Sequence, residues 1–162
     1  PIEETFDVAG GDHRPVTLVF AKKRTPEAIR EALFAQRTAA WTENTLIGEE
    51  KYLRPIFDGS CEVTTPKIAI KGKGSAYVQI RNDSDVTFEL TGSGESEFVT
   101  GPASVTLHAG KTVIMQIRAK SADVTGLKHI RLPYTVKNIL VAPGKGLESD
   151  IAFDVRFLPV DK

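Results

Sequence analysis

The sequence predicts a mainly β protein, an antiparallel immunoglobulin-like β-sandwich preceded by a small α/β segment. Two observations carry this prediction. From Cys61 onward, short runs of residues alternate between apolar and polar, and turn residues interrupt them about every ten positions, as in a sandwich. Before Cys61, a stretch with the helical period lies between two short apolar runs. We therefore divide the chain into an α/β segment, residues 1–59, and a β-sandwich domain, residues 60–162.

The α/β segment begins with a strand in VTLVFA, residues 16–21. Its nearly continuous apolar run predicts a strand buried on both faces, as in a parallel sheet. Thr25 and Pro26 then supply an N-cap and a first-turn proline. The helix that follows, of roughly ten residues, is expected to turn its apolar side to the core. The apolar positions are Ala28, Ile29, Ala32 and Leu33. TAAW, residues 38–41, returns as the second strand of a β-α-β unit.

A second, short helix is predicted in TLIGEEKYLRPIFDG, residues 45–59, starting at about Glu49. Pro55 limits this helix, because a proline ring clashes with the preceding turn. Gly59 ends it.

The sandwich is predicted to contain seven or eight short strands with alternating faces. Turns are expected in KGKG, residues 71–74, and in APGKG, residues 142–146. The runs that end at Leu107 and begin at Val113 indicate a hairpin. The inward positions are Val78, Ile80, Phe88, Leu90, Val113, Met115, Ile117, Val155 and Phe157. The cysteine pair and core tryptophan of antibody domains are missing, so only the general sandwich is predicted.

Composition excludes several classes of function. Lys plus Arg and Asp plus Glu number 21 each, so no net charge favours nucleic acid or anionic lipid, and we expect neither partner. No apolar run approaches the ~20 residues that cross a bilayer. The single cysteine, Cys61, excludes an internal disulfide framework and a multi-cysteine metal site. Because the chain starts at Pro1 without a methionine, we expect a processed or excised piece of a longer protein.

The three histidines, His13, His108 and His129, form none of the paired motifs that place two imidazoles on one metal. His108 and His129 are expected on strand surfaces. Asp12, His13 and Arg14 stand immediately before the first strand. They either line the edge of a site or form an ordinary polar loop, and the sequence leaves both interpretations open.

Other motifs that suggest chemistry have structural explanations. GKGS at 72–75 and PGKG at 143–146 lack the phosphate-loop spacing and are interpreted as hairpin turns. Ser93 in GSGES does not fit GxSxG. Cys61 has no basic neighbours to lower its pKa, which favours a buried small hydrophobe, and Trp41 is expected to be a packing anchor. The sequence therefore assigns no catalytic, cofactor-binding or metal-binding residue.

The stretch HRPVTLVFAKKRTPEAIREALFAQRTAAW (13–41), with NTLIGEEKYLRPIF (44–57) and the β-rich tail, resembles the C-terminal end of secreted-type phosphodiesterases of the polymerase and histidinol phosphatase (PHP) superfamily. There, this strand, helix and next strand close a distorted β/α barrel, and a β-sandwich follows. The superfamily hydrolyses phosphoesters with divalent metals held by His, Asp and Glu. Its last ligand pair, Asp-x-His, would fall just upstream of Pro1. This sequence matches none of the ligand motifs, so the resemblance implies no metal ligand here.

The resemblance implies a non-catalytic C-terminal accessory domain, structural or interacting, of a PHP-type metal-dependent phosphoesterase. We expect this chain to be inactive alone, divalent metals to belong to the parent enzyme, and the upstream barrel to be its partner. It also implies a periplasmic or secreted location, and leaves homo-oligomerisation open. The alternative is an independent ligand- or carbohydrate-binding sandwich, which exposed aromatics clustered on one strand face would favour. A self-contained enzyme ranks third, because no nucleophile and base are paired.

Overall fold

The computed structural model describes residues 15–160, which are mainly β. The helices are α1 (Pro26–Phe34) and α2 (Glu50–Ser60). The first six strands are β1 (Val16–Val19), β2 (Thr38–Thr42), β3 (Thr45–Gly48), β4 (Cys61–Val63), β5 (Lys67–Lys71) and β6 (Ser75–Asn82). The others are β7 (Phe88–Thr91), β8 (Val99–Thr100), β9 (Ser104–Leu107), β10 (Thr112–Ala119), β11 (Gly126–Ala142) and β12 (Lys145–Leu158). The predicted fold class is confirmed.

The strands form two sheets that enclose the core. The larger has the order β1-β2-β3-β11-β12-β5, with β7 joined to β11 and β9 joined to β7; the smaller has the order β4-β6-β10-β8. Pairings are antiparallel except β3 with β11 and β12 with β5. The larger sheet thus runs through both segments of the chain. The division at residue 59 stays a prediction.

The alternating pattern identified the core correctly. Eight of the nine predicted inward side chains are at most 2% exposed, and Val113 is partly buried against them. The described residues from Cys61 onward form nine strands, against the seven or eight predicted.

The predicted hairpin between Leu107 and Val113 is wrong. Strand β9 pairs with β7 in the larger sheet, whereas β10 pairs with β6 in the smaller one, so the chain crosses between sheets here. The turn at 72–74 also crosses between sheets, because β5 pairs with β12 and β6 with β10. Alternation shows which face of a strand is buried, but it does not show which strand is the neighbour. The turn at 143–146 does close a hairpin, between β11 and β12.

The order strand, helix, strand at the start of the chain is confirmed, but the parallel sheet is not. Strand β1 pairs antiparallel with β2, from Val16 opposite Trp41 to Val19 opposite Thr38. It lies at the edge of the sheet, and Val16 is 41% exposed. The inference of burial on both faces is therefore wrong, because a short strand such as VTLV, with three apolar residues and Thr17, fits a half-buried edge position equally well.

Helix α2 continues through Pro55 and ends at Ser60, so the prediction that the proline limits it is wrong. Pro55 deprives only the Lys51 carbonyl of a hydrogen bond, and Lys51 is exposed, so water can solvate that oxygen. Burial of Leu53 and Phe57, one helical turn apart, holds the helix on the core. Phe57 meets Phe88 edge to face, with ring centroids 5.1 Å apart. Among the described residues, neither helix has the length and apolar character needed to cross a membrane.

Candidate functional site: an apolar helix face

Within residues 15–160, no group of three or more His, Cys, Asp and Glu side chains is placed to hold a metal ion. His129 lies exposed on β11, with Nδ1 2.9 Å from Oδ1 of Asp154 on β12. His108 is exposed one residue beyond the end of β9. Both therefore occupy surface positions, as predicted. Asp12, His13 and Arg14 lie outside the described residues, so their two interpretations stay open.

The glycine-rich stretch around Ser93 is a tight structural turn. Gly94 has φ of +63°, and a Cβ there would come within 2.6 Å of the carbonyl oxygens of Gly101 and Pro102. The Ser93 hydroxyl accepts a hydrogen bond from the Glu95 N–H at 3.2 Å. Close backbone approach explains the glycine, and no nucleophile elbow is formed.

Cys61 and Trp41 also have structural roles. Burial, reinforced by Asp58 and Asp83, raises the pKa of the Cys61 thiol to about 12. The thiol stays protonated at neutral pH and is a poor nucleophile. Trp41 is partly buried against the core, and its indole N–H donates to the Glu43 carbonyl at 3.0 Å. Trp41 is thus a packing anchor, as predicted, whereas Cys61 packs against the core but is only partly buried.

One side of α1 is apolar and exposed. It carries residues three and four positions apart, which share a helix face. They are Pro26, Ile29, Arg30, Leu33 and Phe34, and we call them the outer face of α1. The exposed fractions of Ile29, Leu33 and Phe34 are 41%, 49% and 84%. This is the feature of the α/β segment that its own fold does not use.

The opposite side of α1 lies against β1, where Ala32 is fully buried and Ala28 half-buried. The sequence predicted Ile29 and Leu33 on the same buried side, and for these two residues it was wrong. The apolar stripe of the helix is wider than the four-residue edge strand it meets. Strand β1 therefore covers Ala28 and Ala32, and the larger side chains of Ile29 and Leu33 lie outside the area that it covers. Phe34, which the sequence analysis did not assign to either side, extends the exposed stripe.

The exposed stripe has the properties of a contact surface. Burying a fully exposed side chain of this size contributes about 1.5–3 kcal/mol, so Phe34, at 84% exposure, would contribute most and the half-exposed Ile29 and Leu33 less. Exposed apolar groups clustered together mark interaction sites. Arg30 stands on the outer face, and Lys22, Lys23 and Arg24 are exposed just before the helix. A partner with an apolar centre would complement this surface.

The α/β segment is joined to the sandwich by a parallel pairing along β11. One edge of β11 is occupied by β12, and the other edge is shared by β7 and then β3. Asn138 lies at the change from β7 to β3 and is 8% exposed. Where one ladder stops and the next begins, backbone groups lose their regular partners, and a side-chain amide can replace them.

The amide groups of Asn138 and Asn44 make this replacement. Nδ2 of Asn138 donates to the carbonyl oxygens of Asn44 at 2.5 Å and Thr87 at 2.7 Å, and its Oδ1 accepts from the Glu89 N–H at 2.9 Å. The Asn44 side chain donates to the Thr87 carbonyl at 2.7 Å and accepts from its N–H at 2.9 Å. We call Asn44, Asn138 and the Thr87 backbone the amide joint. It fixes β3 to the sandwich and, through β2 and β1, holds the sheet on which α1 packs.

The sandwich matches the family model of DUF5001, an Ig-like domain, over residues 61–152. The match covers more than half of the chain. The chain belongs to this family. Its Ig-like domain is therefore the sandwich, and the α/β segment precedes the matched residues.

A crystal structure from Bacteroides vulgatus, of a two-domain protein containing a predicted PHP-like metal-dependent phosphoesterase, is similar to this chain. The identity is 31% and the TM-score 0.76, over 91% of this chain and 41% of that one. The Ig-like chain thus spans about two fifths of that protein. The structure of WR4, a Caenorhabditis elegans MSP family member, aligns over 61% of this chain and 98% of its own at 14% identity, with a TM-score of 0.44. A search of curated proteins found no match.

Proposed function

We propose that this chain is the C-terminal, non-catalytic accessory part of a two-domain PHP-like metal-dependent phosphoesterase. The extent of the similarity to the Bacteroides protein carries the proposal. At 91% of the chain, it exceeds what residues 61–152 could supply, so it includes part of the segment before the Ig-like domain. An Ig-like sandwich that had been combined with unrelated partners would share only the sandwich.

In this proposal the divalent metals belong to the preceding domain. Metal-assisted hydrolysis needs several ligands around an ion, with one position left for the attacking water. His129 and Asp154 are the neighbouring imidazole and carboxylate on β11 and β12, and no third ligand joins them within residues 15–160. The accessory part would contribute support and contacts, and the chemistry would take place elsewhere.

A phosphodiesterase assay tests the proposal. The purified chain, with manganese, iron or zinc added in turn, is expected to hydrolyse bis-p-nitrophenyl phosphate no faster than buffer. The full-length polypeptide is expected to turn over the same substrate and to lose this activity when its metals are chelated. Turnover by the purified chain that an Asp12→Ala, His13→Ala double variant abolishes would place a working site before β1 and reject the accessory role.

The location follows from the same resemblance, to secreted-type enzymes, and we propose a periplasmic or secreted protein. Fractionation of cells that produce the full-length polypeptide tests this part. Recovery only from the cytoplasm would contradict it.

A carbohydrate-binding sandwich is the weaker candidate. Within residues 61–160, Tyr77 is the single aromatic among the strongly exposed large hydrophobic side chains, at 58%. Its neighbour across the strand pair is Gln116, and Ile114 lies on the same face. One exposed ring gives no row of aromatic side chains on which sugar rings could stack.

A further inference from the structure

We infer that the outer face of α1 is the surface against which the phosphoesterase domain of the same polypeptide packs. The inference rests on the proposed function, and it names the contact surface within this chain. Ile29, Leu33 and Phe34 form its apolar centre, and Arg30 stands among them.

The exposure of the side chains indicates a contact that the described residues do not supply. Phe34 is 84% exposed, although Ala32, two residues earlier, is completely buried. Large apolar side chains one helical turn apart, as Ile29 and Leu33 are, with Phe34 beside them, are the anchors by which a helix binds an apolar groove. A helix face that stays in contact with water normally carries polar residues at these positions.

The position of α1 in the chain favours a partner in the same polypeptide. The helix begins ten residues after Val16, a length that spans at most about 35 Å when extended, so it lies close to whatever precedes β1. In the Bacteroides protein most of the chain lies outside the match. A tethered domain also has a high effective concentration at a nearby surface.

The amide joint fixes the orientation of this contact surface relative to the sandwich. Asn138 and Asn44 hold β3 against β7 and β11, so α1 keeps one orientation relative to the sandwich. A domain that docks on α1 is thereby fixed relative to the Ig-like domain. Without the joint, β1 to β3 would remain attached by the short parallel pairing of Leu46 and Ile47 with Ile139 and Leu140 and by the core packing of β2 and β3.

Hydrogen exchange of the full-length polypeptide tests the inference, with a Leu33→Glu, Phe34→Glu double variant and an Ile114→Glu control. Ile114 is 62% exposed on the sandwich, so the control makes the same apolar-to-glutamate change at an exposed position away from α1. In the unaltered protein, the amides of residues 27–34 are expected to exchange at least tenfold more slowly than in the double variant. A segment of the phosphoesterase domain should lose protection together with them. The control should leave both unchanged.

Equal exchange of residues 27–34 in the unaltered protein and the double variant would overturn the inference. Protection that disappears on dilution would also overturn it, since it would show contact with a second copy. Phosphodiesterase activity measured on the same samples separates the two proposals. If the full-length protein is active but α1 and the phosphoesterase segment are not protected together, the docking surface is rejected and the proposed function is kept. If the two are protected together but the protein is inactive, the docking surface is kept and the proposed function is rejected.

Discussion

Replacing Asn138 with alanine tests whether the amide joint holds the α/β segment on the sandwich. The change removes three hydrogen bonds, at 2.5, 2.7 and 2.9 Å. The Thr87 carbonyl keeps the donor from Asn44, but the Asn44 carbonyl and the Glu89 N–H lose their partner. Each net hydrogen bond contributes about 0.5–1.5 kcal/mol, and an unpaired buried group costs about 1–3 kcal/mol. We expect the free energy of unfolding to fall by about 2–4 kcal/mol.

Urea denaturation followed by two probes provides the assay. Trp41 is the only tryptophan of the chain and lies on β2, so its fluorescence reports on the α/β segment. Far-ultraviolet circular dichroism is dominated by the strands of the sandwich. In Asn138→Ala, the fluorescence midpoint is expected to fall below the dichroism midpoint, because the segment detaches first. The control is Gln116→Ala, an exposed amide bonded only to the Ser75 hydroxyl at 3.1 Å, which should cost less than 0.5 kcal/mol. A loss below that value in Asn138→Ala, with coincident midpoints, would refute the role of the joint.

Three further predictions concern the core and two titrating groups. Ile117→Ala, at a site with no exposed surface, should lower the free energy of unfolding by about 2–5 kcal/mol in the same denaturation experiment; a change below about 0.5 kcal/mol would remove Ile117 from the core. Because the pKa of Cys61 is raised to about 12, we expect iodoacetamide at pH 8 to alkylate Cys61 at least tenfold more slowly than it alkylates the thiol of glutathione. Equal rates for the two thiols would contradict the burial of Cys61. Burial raises the pKa of Tyr134 from 10.0 to about 12, so the folded state retains this proton more tightly than the unfolded state. The stability from this group is complete below pH 10 and is lost as the pH rises through about 12; Tyr134→Phe should reduce the alkaline fall in stability, and an equal fall in both proteins would contradict this.

Much of the sandwich could be predicted because burial on one face imposes a period of two. Val78 and Ile80 on β6, or Val155 and Phe157 on β12, are buried where the alternation places them. The partner of each strand could not be predicted in the same way. Nothing in the residues around Leu107 distinguishes a hairpin from a crossing to the other sheet, since both require a short polar turn and the same alternation.

The elements of the candidate site were harder to predict, for a different reason. Asn138 follows Lys137 at the end of a stretch of alternating residues, and a polar residue is normally assigned to the surface. Its burial depends on β7 and β3 meeting along β11, which is known only after the sheet is assembled. Ile29 and Leu33 fit a core stripe by spacing, and spacing alone does not show that β1 is too short to cover them. The local effect of Pro55 predicts an interrupted helix, but the packing of Leu53 and Phe57 on either side of it outweighs that effect.

The parallel pairing of β3 with β11 sets the order in which the protein can be completed during synthesis. Leu46 on β3 pairs with Ile139 on β11, so the α/β segment reaches its final surroundings only after most of the chain has left the ribosome. Chains are made from the N-terminus at about 5–20 residues per second, and until β11 emerges, β3 lacks the strand with which it pairs in the larger sheet. A message truncated before the codon for Asn138 would yield a product that retains every residue of the outer face of α1 and lacks the part of β11 that pairs with β3.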